Sequence, residues 1–304
     1  MRNGGAISPE WIAVDWGTSN LRAWAMQGGD PLDEASSDRG MGTLTRDAFE
    51  PALLDLIAPW LAAPKTTVVA CGMVGSRQGW AEAAYGAAPC GPLGANLTRP
   101  RVESDRIAVH IVPGIKQPSP PDVMRGEETQ IAGFLRALPG FDGVLCMPGT
   151  HTKWVQISAG EIVSFRTFMT GEMFALLSES SVLRHSVRAG WQDDAFGEAV
   201  SDALSKPEAM AARLFEIRAD DLLNAPGEGA AKARLSGLLI GAELAAARPY
   251  WLGQRVALIG AGTLSDLYAA ALAPQGVVAD KADVTACTLA GLHAAYTTLE
   301  ETVT

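Results

Sequence analysis

Two segments of this chain follow one plan: an apolar strand, a turn built on Gly-Thr, and a second strand. The first is WIAVDWGTSNLRAWAM at residues 11–26 and the second is GVLCMPGTHTKWVQIS at residues 143–158. Laid over one another, they place Gly17-Thr18-Ser19-Asn20 on Gly149-Thr150-His151-Thr152. Each half of the chain opens with such a unit and continues with alternating strands and helices. That pattern predicts two α/β domains from a duplicated plan. The boundary is expected near residues 138–142, giving an N-terminal domain of 1–140 and a C-terminal domain of 141–304.

The stretches between these landmarks read as follows. Residues 46–63 carry Phe49, Leu53, Leu54, Ile57 and Leu61 at helical spacing. TTVVACGMVGS (66–76) predicts a buried strand running into a Gly-rich loop, and 77–108 a long loop. RIAVHIVPGI (106–115) predicts a strand, PSPPD (118–122) a break and EETQIAGFLRAL (127–138) a helix. In the second half EIVSFRTF (161–168) predicts a strand, and helices run to about 249, including ARLSGLLIGAELAAA (233–247). RVALIGAG (255–262) predicts a strand with a helix after it, GVVAD (276–280) a short strand and 283–299 a final helix.

Composition narrows the classes of partner. Of 304 residues, 48% are hydrophobic, enough to bury a substantial core and too many for a disordered chain. The 34 acidic and 24 basic residues give a formal net charge of −10, which argues against a nucleic-acid binder. It leaves room for a small anionic ligand held in a locally favourable pocket. No run reaches the roughly 18 apolar residues of a membrane span. MRNGGAISPEW at the start has no apolar signal core, so a cytoplasmic location is expected. Cys71, Cys90, Cys146 and Cys287 form no CxxC pair and read as free thiols. The four histidines lack metal-site spacing, so no structural metal is expected.

The chemistry concentrates at the turns. Small residues at Gly17, Thr18, Ser19 and Asn20 leave backbone N–H groups and hydroxyls free to face phosphate oxygens. Asp15, at the end of the strand before them, is placed to hold Mg²⁺ directly or through water. Gly149 and Thr150 offer the same donors in the second half, with His151 and Lys153 weaker candidates. Gly260-Ala261-Gly262 follows an apolar strand and opens a helix, where close backbone approach and the helix N-terminus suit a nucleotide. The third glycine of a GxGxxG fingerprint is absent.

Together these elements resemble the sugar kinase/actin/Hsp70 ATPase superfamily, and more closely the 2-dehydro-3-deoxygalactonokinases. The resemblance covers essentially the whole chain. It rests on DWGTSNLRAW (15–24), GMVGSRQGW (72–80), VMRGEETQ (123–130), MPGTHTKW (147–154), FRTFMTGE (165–172) and SGLLIGAEL (236–244), in that order. It implies two ribonuclease H-like domains of the actin-like ATPase/sugar kinase fold with an interdomain cleft. It also implies that the two turns hold ATP phosphates and that Gly260, Ala261 and Gly262 hold adenosine. The implied reaction is ATP-dependent phosphorylation of 2-dehydro-3-deoxy-D-galactonate at its 6-hydroxyl, in galactonate breakdown. ATP and Mg²⁺ would be the cofactors, the partner a small sugar acid, and a homodimer is possible.

Phosphoryl transfer to a hydroxyl needs a carboxylate that orients it and accepts its proton. In related sugar kinases a Gly-Asp-Gln-Gln-like segment supplies that acid. Glu127 of Gly126-Glu127-Glu128-Thr129 falls on its Asp, and Glu128 is the alternative. A guanidinium suits the substrate's carboxylate, and the candidates are Arg22, Arg77, Arg125 and Arg166. Ser76 and Trp80, in the Gly-rich loop with Arg77, are candidates to line the sugar, with Trp80 expected to pack rather than to stack on it. Three other readings stay open: a kinase for the gluconate-type acid, a non-catalytic sugar-acid sensor on the same fold, and a phosphatase or nucleotide hydrolase of the same superfamily.

Overall fold

The computed structural model describes residues 7–94, 96–260 and 262–301. They form two compact units: one of 1–141, 158–164 and 284–304, the other of 142–157 and 165–283.

In the first unit β1 (Trp11–Trp16), β2 (Leu21–Gln27) and β3 (Asp30–Ser37) form an antiparallel meander. Helix α1 (Phe49–Ile57) then leads to β4 (Thr66–Gly72). A small sheet is built from β5 (Gly86–Ala87), β7 (Ile115–Gln117) and β8 (Asp122–Met124), and β6 (Ile107–Ile111) lies between β5 and β7 in the chain. Helix α2 (Glu127–Ala137) follows. The main sheet has the order β3-β2-β1-β4-β6, with β4 and β6 parallel to β1. Its alternation explains why β1 is apolar on both sides. Ile12, Val14 and Trp16 pack with Phe49, Leu53 and Ile57 of α1, while Trp11 and Ala13 share a core with Leu292, Ala295 and Tyr296.

The second half of the chain repeats the order. β9 (Gly143–Met147) and β10 (Thr152–Ser158) are antiparallel, and β11 (Glu161–Phe168) continues the sheet. Helices α3 (Thr170–Ser180), α4 (Asp193–Ser205), α5 (Met210–Leu223), α6 (Ala230–Ala246) and α7 (Arg248–Trp251) intervene before β12 (Val256–Gly260). Then come α8 (Gly262–Leu272), β13 (Asp280–Asp283) and α9 (Val284–Glu301). The sheet order β11-β10-β9-β12-β13, with β12 parallel to β9 and β13 to β12, matches the first sheet strand for strand. The two Gly-Thr turns therefore occupy equivalent places, β1–β2 and β9–β10.

The expected domains, 1–140 and 141–304, are not the observed units, because 158–164 and α9 belong to the first. Helix α9 is the larger departure. It packs on α2 through glycines: a side chain on Gly133 would overlap the Cys287 carbonyl, and one on Gly291 the Thr129 carbonyl. The expected strand at 276–280 lies instead at Asp280–Asp283, and the expected helix at 46–63 is regular only over Phe49–Ile57. The exposed strand β3, with its polar DPLDEASS, had no apolar alternation to reveal it. No described helix is long and apolar enough to cross a membrane. No disulfide joins the four cysteines.

Candidate active site

In the first unit the turn after β1 is closed by Gly17 N–H donating to the Asn20 carbonyl at 2.9 Å. A neighbouring segment backs it. Met41 N–H donates to Gly17 O at 3.0 Å and Gly42 N–H to Thr18 O at 2.8 Å, while a side chain on Gly40 would overlap the Thr18–Asn20 backbone. Thr18, Ser19 and Asn20 remain exposed. The turn is thus fixed from behind and open in front, as a phosphate-facing loop must be. Sequence reasoning missed Gly40-Met41-Gly42, because a glycine pair shows no partner until the chain folds back.

Asp15 pairs across the β1–β2 ladder with Arg22, whose Nη2 donates to Oδ2 at 2.5 Å. The Arg22 guanidinium lies 5.3 Å from the Trp24 ring centroid. Gly72, at the end of β4, joins Asp15 to the candidate base. Its φ of +91° and its packing both exclude a side chain, which would come within 2.7 Å of Trp16 O and 3.4 Å of Asp15 Oδ1. Gly126 (φ +102°) sits against it, so that a Cβ there would be 3.4 Å from Gly72 Cα. Glu127 is the first residue of α2 after that glycine, and its Oε2 accepts from Arg125 N–H at 3.1 Å.

The two adjacent glutamates have different surroundings. Glu127 is half-buried, whereas Glu128 is wholly buried. Glu128 accepts from Gly126 N–H at 2.7 Å and from Thr129 Oγ1 at 3.0 Å. Burial, and secondarily the charge of Glu127, push its carboxyl from 4.5 up to about 8. Glu128 is then protonated at neutral pH while the unfolded chain has lost that proton. Stability is expected to fall as pH rises from 4.5 to 8, by up to about 1.4 kcal/mol per unit. Glu128→Gln should remove this slope, so melting temperatures of the two proteins should diverge between about pH 6 and pH 8, with the variant gaining. Parallel melting curves would sink the assignment of a neutral Glu128.

The Gly-rich loop differs from expectation in part. Trp80 is 7% exposed and packs its ring 6.3 Å from those of Phe49 and Trp16, the packing role expected of it. Arg77 is 81% exposed, 3.6 Å from Glu82. Arg166 is exposed on β11. Arg125 is the ordered guanidinium. It lies 4.4 Å from the Tyr85 ring centroid, and its Nη2 donates to Ala83 O at 2.9 Å. Its Nε and Nη1 are buried without a hydrogen-bond partner among the described residues, as is Ser76 Oγ.

In the second unit the first turn of α3 braces the turn after β9. A side chain on Gly171 would overlap Gly149 O, and Glu172 N–H donates to Thr150 O at 2.9 Å. His151 Nε2 lies 2.6 Å from Glu172 Oε2, and Lys153 Nζ donates to His151 O at 3.0 Å. Lys153 is buried and holds the turn's shape rather than facing solvent. Beside Gly149 and Thr150 lies a cavity of about 390 Å³, walled by Thr170 and Phe174 of α3, Lys232 and Ser236 of α6, and Thr263 and Tyr268 of α8 among others. That volume is in the range of small-molecule sites, ~300–1,000 Å³. Gly260 ends β12 and Gly262 (φ +51°) opens α8; Ala261 lies outside the described residues. The cavity is thus walled by residues following the GAG segment, together with α3 and α6 residues whose approach only the fold reveals. Among the described residues no cluster of three or more His, Cys, Asp or Glu is arranged to hold a metal.

A family model described as 2-keto-3-deoxy-galactonokinase matches residues 15–295. A Rhizobium meliloti (strain 1021) protein assigned as 2-dehydro-3-deoxygalactonokinase DgoK1 is 38% identical over 298 residues, 94% of this chain and 96% of its own. The 2-dehydro-3-deoxygalactonokinase of Escherichia coli (strain K12) is 37% identical over 262 residues, 84% of this chain and 87% of its own. A crystal structure of a Sinorhizobium meliloti protein, also assigned as a 2-dehydro-3-deoxygalactonokinase, superposes with a TM-score of 0.88 at 36% identity. It covers 95% of this chain and 99% of the other.

Proposed function

Because the chain belongs to the 2-keto-3-deoxy-galactonokinase family, we propose that it transfers the γ-phosphoryl group of ATP to the 6-hydroxyl of 2-dehydro-3-deoxy-D-galactonate, a step in D-galactonate breakdown. The observation that carries this reading is the repeated sheet. It presents a backed, outward-facing Gly-Thr turn at the same place in each unit, with the half-buried Glu127 linked through Gly126 and Gly72 to the strand end before one turn, and a nucleoside-sized cavity beside the other.

The residues divide the work as follows. Gly17–Asn20 and Gly149–His151 donate to phosphate oxygens. The cavity along α3, α6 and α8 takes the nucleoside. Arg125, stacked on Tyr85, is the guanidinium for the sugar acid's carboxylate, with Ser76 beside it in the chemistry it offers. Glu127 orients the 6-hydroxyl and receives its proton as the new oxygen–phosphorus bond forms and the bond to the β-phosphate bridging oxygen breaks. Mg²⁺ suits Asp15, since this cation takes one or two carboxylates and keeps its other positions for phosphate and water, and Arg22 engages only Oδ2. Bound there, the metal would neutralise phosphate charge.

The deciding experiment incubates the protein with ATP and either 2-keto-3-deoxygalactonate or 2-keto-3-deoxygluconate, with the product followed by phosphorus NMR. A 6-phosphate from the galactonate form is expected. ATP hydrolysis that proceeds equally without sugar acid would overturn the proposal. Thr263→Trp, at an exposed position on the cavity wall, is expected to raise the KM for ATP about tenfold or more while the KM for the sugar acid stays within about twofold. Steady-state kinetics check it.

A further inference from the structure

Glu243 is a buried acid in the last turn of α6, 3% exposed, and phosphoryl transfer has no use for it. Three donors converge on its carboxylate. Trp154 Nε1 of β10 donates to Oε1 at 2.7 Å, Tyr268 OH of α8 donates to Oε2 at 2.7 Å, and Thr170 Oγ1 at the start of α3 donates to the same Oε2. Thr152 Oγ1, at the start of β10, lies 2.9 Å from Tyr268 OH. A carboxylate accepts and has nothing to donate. It therefore fixes the direction of each hydroxyl: both protons point at Glu243. Thr170 and Tyr268 also line the cavity beside the second Gly-Thr turn. With its proton turned inward, Thr170 can show the cavity only oxygen lone pairs.

We propose that Glu243 is a positioning residue for nucleotide binding. It holds the Thr170 hydroxyl as a hydrogen-bond acceptor for an N–H or O–H of the nucleoside. It also ties together the helix behind the turn, the strand after it and the helix after Gly260. This inference rests on the reading that the cavity takes the nucleoside. The glycines around Glu243 support a rigid placement. Gly237 and Gly241 bring α6 against α4, where a Cβ would lie 2.5 Å from Phe196 O and from Val200 O respectively.

Burial pushes the Glu243 carboxyl up to about 6, against the lowering effect of its three donors. The titratable groups facing it are Tyr268 and Cys146, both pushed well up by burial and so neutral near pH 7. Glu243 therefore titrates without a charged neighbour among them. Below about pH 6 a proton on the carboxyl competes with one of the three donors.

The test measures ADP affinity by calorimetry and steady-state kinetics on four full-length variants. Thr170→Val removes the acceptor that the cavity wall shows, and Glu243→Gln, with its amide oxygen taken by Trp154 Nε1–H, turns its NH2 on Thr170 Oγ1 so that the hydroxyl proton faces the cavity; each is expected to weaken ADP binding about tenfold. Thr170→Ser should keep most of the affinity. The KM for the sugar acid and kcat should stay within about threefold. Between pH 7.5 and 5.5 wild-type ADP affinity should fall more than that of Glu243→Gln, and this comparison cancels the titration of ADP itself. Affinities within twofold of wild type for both Thr170→Val and Glu243→Gln would overturn the proposal. Thr263→Trp is the fourth variant. If it weakens ADP and the other two do not, the positioning role fails alone; if it too is silent, the nucleoside reading of the cavity fails. Should Glu243→Gln not fold, Thr170→Val against Thr170→Ser decides.

Discussion

Glu127→Ala is expected to lower kcat by ~10²–10⁴-fold, the usual contribution of a positioned general base, with a melting temperature close to that of the wild type. Its neighbour should behave in the opposite way. Glu128 is sealed inside the unit and already spends both oxygens on Gly126 N–H and Thr129 Oγ1. Glu128→Gln keeps an acceptor for the Gly126 amide, so it should retain substantial turnover while changing the pH dependence of stability. The contrast separates a base from a buried support, although the two residues are adjacent. Assays of both variants at saturating ATP and sugar acid give the answer. Near-normal kcat in Glu127→Ala with a dead Glu128→Gln would reverse the assignment. Asp15→Asn should also depress turnover strongly, and a shifted Mg²⁺ requirement would tie that loss to the metal.

The second large effect is structural. Gly133→Ala should destabilise the first unit by about 3 kcal/mol or more, read as a lower melting temperature or denaturant midpoint. Helix propensity alone predicts the reverse, since alanine is favoured over glycine in a helix interior by up to ~1 kcal/mol. Packing decides the sign. The added methyl would overlap the Cys287 carbonyl of α9, a backbone atom that cannot swing aside, so the two helices must part. Gly291→Ala meets the Thr129 carbonyl of α2 in the same way. Gly197 of α4 is the control. It is exposed, with no atom within 4 Å of the place an alanine methyl would take, so Gly197→Ala should stabilise by a few tenths to ~1 kcal/mol. Equal effects at Gly133 and Gly197 would refute the close-contact account.

Local signals carried the elements of the candidate site. The turns at Gly17–Asn20 and Gly149–His151 were legible because a strand, a Gly-Thr pair and a second strand lie within one short segment. The α2 start at Glu127 was legible for the same reason. The GAG segment leads into α8, which walls a cavity with Thr263 and Tyr268, but Thr170, Lys232 and Ser236 wall it as well and lie on other helices. Trp80 was expected to pack, but its partners Trp16 and Phe49 are distant in sequence and only the fold names them. Among Arg22, Arg77, Arg125 and Arg166, residue type could not separate an ion-paired, an exposed and a stacked guanidinium.

By itself, the sequence determined the duplicated strand–turn–strand plan, the residues of both turns and the two carboxylates that open α2. Periodicity and turn chemistry act over a few residues, so a linear string carries them in full. Tertiary structure alone decided that α9 closes the first unit rather than the second, and that Glu128 is buried while Glu127 is not. It also decided that Glu243 gathers Trp154, Thr170 and Tyr268 around one carboxylate. Each of these is a contact between segments far apart in the chain. Burial and hydrogen-bond direction are set by what such contacts bring together.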